Sequence, residues 1–208
     1  MKIGLISDIH GDKLALELAW AHLTVMRIDR IVCAGDLVGY GPHPDAVIAF
    51  LQEHAIPSVR GNHDRWAVER ADGLPGIPST FGGGLPTKDS VEALRLLPGY
   101  QLIEDGSKVG VIAHGSPGDD MEFVTRKTHS TSKLDGWLNE MGVNLLVIGH
   151  THKPMVYRSE SGLVINPGSV VSAPVVSTSR TFAVLDWDNE AVTFHDVESG
   201  DRVEVKEW

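Results

Sequence analysis

The 208-residue chain has a single cysteine, Cys33, which excludes an intrachain disulfide framework and a thiolate metal cluster. Cys33 lies inside the run RIVCAGD and reads as a small buried apolar residue. Basic side chains are scarce: 18 Lys and Arg against 28 Asp and Glu leave a net charge of -10. That balance favours solubility and argues against a nucleic-acid polymer as partner, because such binders present a basic face. Long hydrophobic runs are absent. None approaches the ~20 residues of a membrane span. The opening run after Lys2 ends at Ser7 and Asp8, too soon for a signal peptide. A cytoplasmic protein without a membrane partner is the expectation. Repeats and low-complexity tracts are also missing, and the length fits one domain spanning 1–208.

What is present is a set of five short polar motifs, each directly after an apolar run. They are Asp8-Ile9-His10, Gly35-Asp36, Gly61-Asn62-His63-Asp64, His114-Gly115 and Gly149-His150-Thr151-His152. The runs before them are KIGLIS, RIVCA, AIPSVR, VGVIA and NLLVI. The pattern predicts strands over 2–7, 31–34 and 57–60, with helices over 12–27 (stripe Leu14, Leu18, Ala21, Val25) and from Pro44 to about His54. This β-α-β-α-β alternation implies a largely parallel sheet. The glycine- and proline-rich stretch 73–86 reads as a loop, either a lid or a plain connection. A helix around 87–97 follows, then a hairpin of 100–104 and 108–113 about Asp105-Gly106, a helix over 131–141 and a strand over 144–148. From 155 onward short strands (155–158, 162–165, 180–187, 191–196, 202–206) suggest a mainly antiparallel block. Two sheets packed face to face with helices outside is the architecture implied.

In open α/β sheets, ligands bind beyond the carboxyl ends of strands, where all five motifs fall. In extended backbone, residues i and i+2 share a face, so Asp8 with His10, and His150 with His152, are each expected to address one ion. The candidate donors are two carboxylates (Asp8, Asp36), one amide (Asn62) and four imidazoles (His10, His114, His150, His152). Seven side chains are too many for one tetrahedral ion and suit two ions bridged by a carboxylate. Oxygen and nitrogen donors without sulfur suit two divalent transition-metal ions, with Mn foremost and Fe, Ni, Co or Zn as alternatives. The other histidines (22, 43, 54, 129, 195) lack a strand-end context and read as surface or helix residues.

At these residues the chain resembles the calcineurin-like metallophosphoesterase superfamily. That family's pattern is Asp-x-His, Gly-Asp, Gly-Asn-His-Asp/Glu, His and Gly-His-x-His, all present here in order. The resemblance spans about 8–169, including Asn166-Pro167-Gly168-Ser169. The stretches Gly35 to Pro42 and His114 to Pro117 are similar to the small bacterial and archaeal phosphoesterases of the superfamily. The resemblance implies an α/β fold, a four-layer α/β/β/α sandwich of two mixed sheets. It implies that Asp8, His10 and His152 hold one ion, that Asn62, His114 and His150 hold the other, and that Asp36 bridges them. It makes His63 the catalytic histidine and Asp64 its partner. It also implies a phosphoester hydrolase acting on a small phosphorylated substrate. Two cations about 3.5–4 Å apart would acidify a bridging water, the hydroxide of which attacks phosphorus.

One departure matters. The phosphoprotein phosphatase branch carries Asp-Arg-Gly where this chain has Gly39-Tyr40-Gly41, so that branch's phosphate-binding arginine is absent and protein phosphatase activity is not expected. Arg60 is present before Gly61 and is as readily structural. Tyr40, 73–86 and 115–130, with Arg126 and Lys127, are the candidate substrate segments. Asp119 and Asp120 are expected to point away from the metals. A nucleotidase or dinucleoside polyphosphate hydrolase is the alternative within enzymes, and a non-catalytic interaction module is the alternative outside them. The alternating Arg202 to Glu207 fits an edge strand or a homo-oligomer interface, and the sequence leaves both open.

Overall fold

The structure is a computed structural model that describes residues 1–75, 83–171 and 180–208. The middle of the predicted loop 73–86 therefore lies outside the described residues. The first strand, β1 (Lys2–Ile6), is followed by α1 (Lys13–Val25), whose first turn is capped by the Asp12 carboxylate accepting from Ala15 N. The helix falls where the periodicity puts it, but on a different face. Ala15, Leu16, Ala19 and Leu23 are buried, whereas Leu14 is 66% and Val25 82% exposed. Apolar residues lie around most of this helix, so periodicity does not choose the face. The alanines at 15 and 19 let the backbone approach the sheet closely.

Next come β2 (Arg30–Cys33), parallel to β1, and α2 (Pro44–Glu53). The predicted strand at 57–60 shrinks to one parallel bridge, Cys33 with Ser58. Pro57 has no N–H for a ladder, and the chain turns at Gly61 into a helix that the pattern did not predict, α3 (Asn62–Ala71). Its polar sequence NHDRWAVERA hides the helix from a hydrophobicity reading. α4 (Lys88–Arg95), the antiparallel hairpin β3 (Tyr100–Asp105) and β4 (Lys108–Ala113), α5 (Thr131–Met141) and β5 (Leu145–Val147) follow as expected.

The C-terminal strands are β6 (Met155–Ser159), β7 (Gly162–Asn166), β8 (Thr181–Asp186), β9 (Ala191–Asp196) and β10 (Arg202–Val203). They do not form one antiparallel block. β8 to β10 join β1 and β2 in a sheet of order β10-β9-β8-β1-β2, and β6 and β7 join the other, β3-β4-β5-β7-β6. Both sheets are mixed, since β1–β2, β4–β5 and β5–β7 are parallel and the rest antiparallel.

Three apolar clusters build the layers. Ile3, Leu5 and Val32 of the first sheet meet Ile112, Leu145 and Ile165 of the second in the middle. α1 and α2 cover the outer face of the first sheet, and Leu134, Trp137 and Leu138 of α5 cover that of the second. This is the α/β/β/α order. Cys33 is fully buried, and burial pushes its thiol well above the usual range. No helix among the described residues is long and apolar enough to cross a membrane.

Candidate metal centre

The ends of β1, β2, β4 and β5 meet at one end of the sandwich. Asp8 N donates to Gly35 O at 3.0 Å, Gly149 N to His114 O at 2.6 Å, and the His114 ring contacts Ala34 O through Nδ1 at 2.7 Å. These crossings bring together all seven candidate donors from five chain segments, each buried to below a tenth of its surface. Asp8, His10 and His152 form one group whose ligand atoms lie within 4.8 Å of one another. Asp36, His114 and His150 form a second, and His10, Asp36 and His63 a third. Asn62 Oδ1 is 3.0 Å from His114 Nε2.

The backbone there is not the extended one expected. Asp8, His10, Asp36, His150 and His152 all have positive φ, between 49° and 65°. Each such non-glycine residue costs about 1–2 kcal/mol. Asp8 and His10 do reach one group, through left-handed turns rather than strand alternation, but His150 and His152 part: His152 joins Asp8 and His10, and His150 joins Asp36 and His114.

Several atoms fit a cation. His10 Nε2 and His152 Nε2 face each other at 2.9 Å, and each is within 4 Å of Asp8 Oδ1. Two imidazole nitrogens at that distance share one proton or surround a metal. The other ring nitrogen of His10 contacts Val38 O and that of His114 contacts Ala34 O, an arrangement that leaves each Nε2 with a lone pair for a metal. His150 Nε2 and His152 Nδ1 are buried with no hydrogen-bond partner among the described residues. Electrostatics agree. Burial would raise Asp36, but the charge of His114 holds it below the carboxylate range. Burial lowers His114, yet the Asp36 carboxylate pushes it up to about 10. Two buried carboxylates, Asp8 and Asp36, thus demand positive charge, and a proton on His114 supplies it where a cation otherwise would. Burial pushes His10 down to about 3, keeping it in the neutral form a ligand needs.

The α3 terminus adds the third motif of the chain, Gly61-Asn62-His63-Asp64. Asn62, His63 and Asp64 occupy its first turn, where free backbone N–H groups point toward negative charge. His63 N donates to Asp36 Oδ1 at 2.8 Å. The Asp64 carboxylate does not pair with the His63 ring as expected. One oxygen accepts from Leu37 N (2.9 Å) and Val38 N (3.1 Å), the other from Gly61 N (2.9 Å). Its position in the first helical turn makes it reach back to the residue before the helix, so it ties the Asp36 segment to α3. Burial, with Asp36 close by, pushes Asp64 up to about 7 against those backbone donors.

Gly61 has an ordinary φ and is required for closeness instead. A Cβ there would stand 2.1 Å from Asp36 Oδ1 and 2.4 Å from Asp36 N. Gly61→Ala is expected to displace Asp36 and to destabilise the fold by about 1–3 kcal/mol. Denaturant melts and metal analysis of the purified variant check both effects.

Among the described residues, three aromatic rings lie against the cluster. Tyr40 lies 4.5 Å from the His10 ring and 5.0 Å from His63, as its motif position suggested. Trp66, 4.9 Å from His63, and Phe123, 4.5 Å from His150, were not foreseen. Trp66 was legible as the i+3 neighbour of His63 on a helix, had α3 been recognised; Phe123 lies in the candidate segment 115–130, within which nothing singled it out. Asp120 points to Arg65, which binds it through two nitrogens at 2.7 and 2.9 Å, and Asp119 accepts from Met121 N. His129 lies against Glu122 and Trp137, apart from the donors.

A model of the calcineurin-like phosphoesterase superfamily domain matches residues 1–190. The chain belongs to this superfamily. A probable metallophosphoesterase of Methanothermobacter thermautotrophicus is 28% identical over 204 residues, which is 96% of this chain and 94% of that one. Serine/threonine-protein phosphatase 2 of Escherichia coli is 24% identical over 190 residues, covering 80% of this chain and 87% of its own. The crystal structure of a metallophosphoesterase from Sphaerobacter thermophilus superposes with a TM-score of 0.73 at 26% identity, over 99% of this chain and 90% of that chain. As a calcineurin-like phosphoesterase the chain is a metal-dependent enzyme that hydrolyses phosphoric esters, and the two mixed sheets agree with the expected metallophosphatase fold.

Proposed function

We propose that the protein is a dinuclear phosphoester hydrolase of small phosphorylated substrates, located in the cytoplasm. The observation that carries this reading is a pair of donor groups, Asp8-His10-His152 and Asp36-His114-His150, with Asp36 Oδ2 within 4 Å of an imidazole of each, His10 and His114. Asp8, His10 and His152 would hold one ion, Asn62, His114 and His150 the other, and Asp36 both, with Mn²⁺ proposed and Fe, Ni, Co or Zn also suited to mixed oxygen and nitrogen donors. When bound, such a pair supplies Lewis acidity toward the phosphoryl oxygens and a nucleophile at neutral pH.

The chain's own residues do the rest. Val38 O and Ala34 O orient the rings of His10 and His114. His63 stands beside the first group at the positive end of α3, where it stabilises phosphoryl oxygens and passes a proton to the leaving oxygen. Burial holds His63 below its ordinary range in the ligand-free centre; a phosphoryl dianion beside it favours the protonated ring. Asp64 keeps α3 and the Asp36 segment in register.

Small substrates are favoured over phosphoproteins by residues 39–41. Gly39 has φ 150°, and a Cβ there would stand 2.4 Å from His10 Nδ1, so no longer residue fits where the phosphatase branch has aspartate. Tyr40 puts an aromatic ring, not a guanidinium, over His10 and His63. The test is a panel of bis-aryl phosphate, mono-aryl phosphate, cyclic nucleotides, dinucleoside polyphosphates and a phosphopeptide. The expected result is Mn²⁺-restorable, chelator-sensitive hydrolysis of one or more small esters, at about two ions per chain. Stoichiometric metal with no hydrolysis of any ester would instead support a non-catalytic module.

A further inference from the structure

A cavity of about 530 Å³ lies beside the metal centre, bounded by Arg126, Lys127, Lys153 and Lys206. Four cations around one cavity stand out in a chain of net charge -10. Glu204 is the single carboxylate among its lining residues. Some basic residues elsewhere are paired, Arg65 with Asp120, Arg95 with Asp72, Arg158 with Glu190 and Arg180 with Glu198. The four around the cavity enter no ion pair among the described residues. Arg126 donates instead to the backbone carbonyls of Lys206 and Glu207. Those bonds leave its charge uncompensated and fix the C-terminal segment as one wall. Trp208 N, donating to Val156 O at 2.8 Å, holds the same segment. Val124, Pro154 and Met155 give the cavity an apolar floor.

The cavity is continuous with the centre through the chain. Thr151, between His150 and His152, lines it, and Lys153 follows His152 directly. Val124 follows Phe123, whose ring packs on His150. A ligand held at the metal donors thus has a cationic site beside it. We propose that this cavity binds a second phosphate or diphosphate group of the substrate, carried on an organic body that covers the apolar floor. The inference rests on the hydrolase reading for what happens at the metals, and it adds that the substrate bears anionic charge beyond the phosphoryl group that is cleaved.

The test uses inorganic diphosphate as the probe, titrated calorimetrically into the full chain with and without Mn²⁺, and compares Lys153→Ala, Lys206→Ala, their double variant and Glu204→Gln. Each lysine variant is expected to weaken binding about 5-fold, with the loss shrinking at high salt. Glu204→Gln is expected to tighten it, a sign that a merely structural role would not produce. In turnover, the double variant should lower the ratio of kcat/KM for a dinucleoside polyphosphate to that for a bis-aryl phosphate. Unchanged diphosphate affinity in the double variant, with hydrolysis intact, overturns the subsite alone. Diphosphate binding that responds to these variants in a protein that hydrolyses no ester supports the subsite and overturns the hydrolase reading.

Discussion

Asp36→Asn is expected to lower kcat/KM by about 10³-fold or more and to reduce the metal content of the purified protein. Asp36 is 1% exposed and its Oδ2 lies 3.3 Å from His114 Nε2 and 3.7 Å from His10 Nε2, one imidazole from each donor group. Its Oδ1 meanwhile accepts from His63 N. Asparagine keeps the shape and an oxygen for that N–H, but removes the negative charge that two cations would share. The change isolates charge from geometry, because the amide keeps the carboxylate's shape and His114, no longer facing the Asp36 charge, is free to give up its proton. Metal analysis and thermal melting separate the outcomes. A variant that retains both ions would sink the bridging role, and one that melts far below the wild type without metal would point to a structural role.

His63→Ala is expected to cost about 10²–10⁴ in turnover of alkyl or nucleoside phosphoesters and distinctly less for aryl esters. An alkoxide leaves poorly without a proton, whereas an aryl oxide leaves unaided, so the difference reports proton donation. The ring lies 4.7 Å from that of His10 and 5.0 Å from that of Tyr40, close enough to reach a phosphoryl group beside the first donor group. Equal losses on both ester types would remove the general-acid role and leave only charge stabilisation. Metal content gives a second readout, because His63 also falls within one donor group with His10 and Asp36. Loss of one ion in this variant would make His63 a ligand rather than an acid.

Most of the candidate donors stood out because they follow apolar runs that end as strands, whereas the run before Asn62 makes one bridge and gives way to α3. Asp8 after β1, His114 after β4 and His150 after β5 illustrate the former. The identity of neighbours was less legible. α1 was expected to bury Leu14 and Val25 and buries Ala15 and Ala19 instead, since a helix apolar on most sides is oriented by the sheet it meets. Asp64 was expected on the His63 ring and binds three backbone amides. Its place in a helical first turn was invisible while α3 was hidden by its polar residues. The strands after 155 read alike, yet two join one sheet and three the other, because pairing depends on edges left open by earlier strands.

The sequence by itself determined which atoms are available for chemistry: oxygen and nitrogen donors without thiolate, at strand ends, in the order of one superfamily. Those are properties of residue type and local hydrophobic pattern, which act within a few residues. Tertiary structure decided which donors share a group, as when His10 meets His152 across 142 positions. It also decided the left-handed backbone at five site residues and the cationic cavity formed by 126–127, 153 and 206. Contacts of that separation are set by sheet order and by the crossing of loops at one end of the sandwich, and no local pattern encodes them.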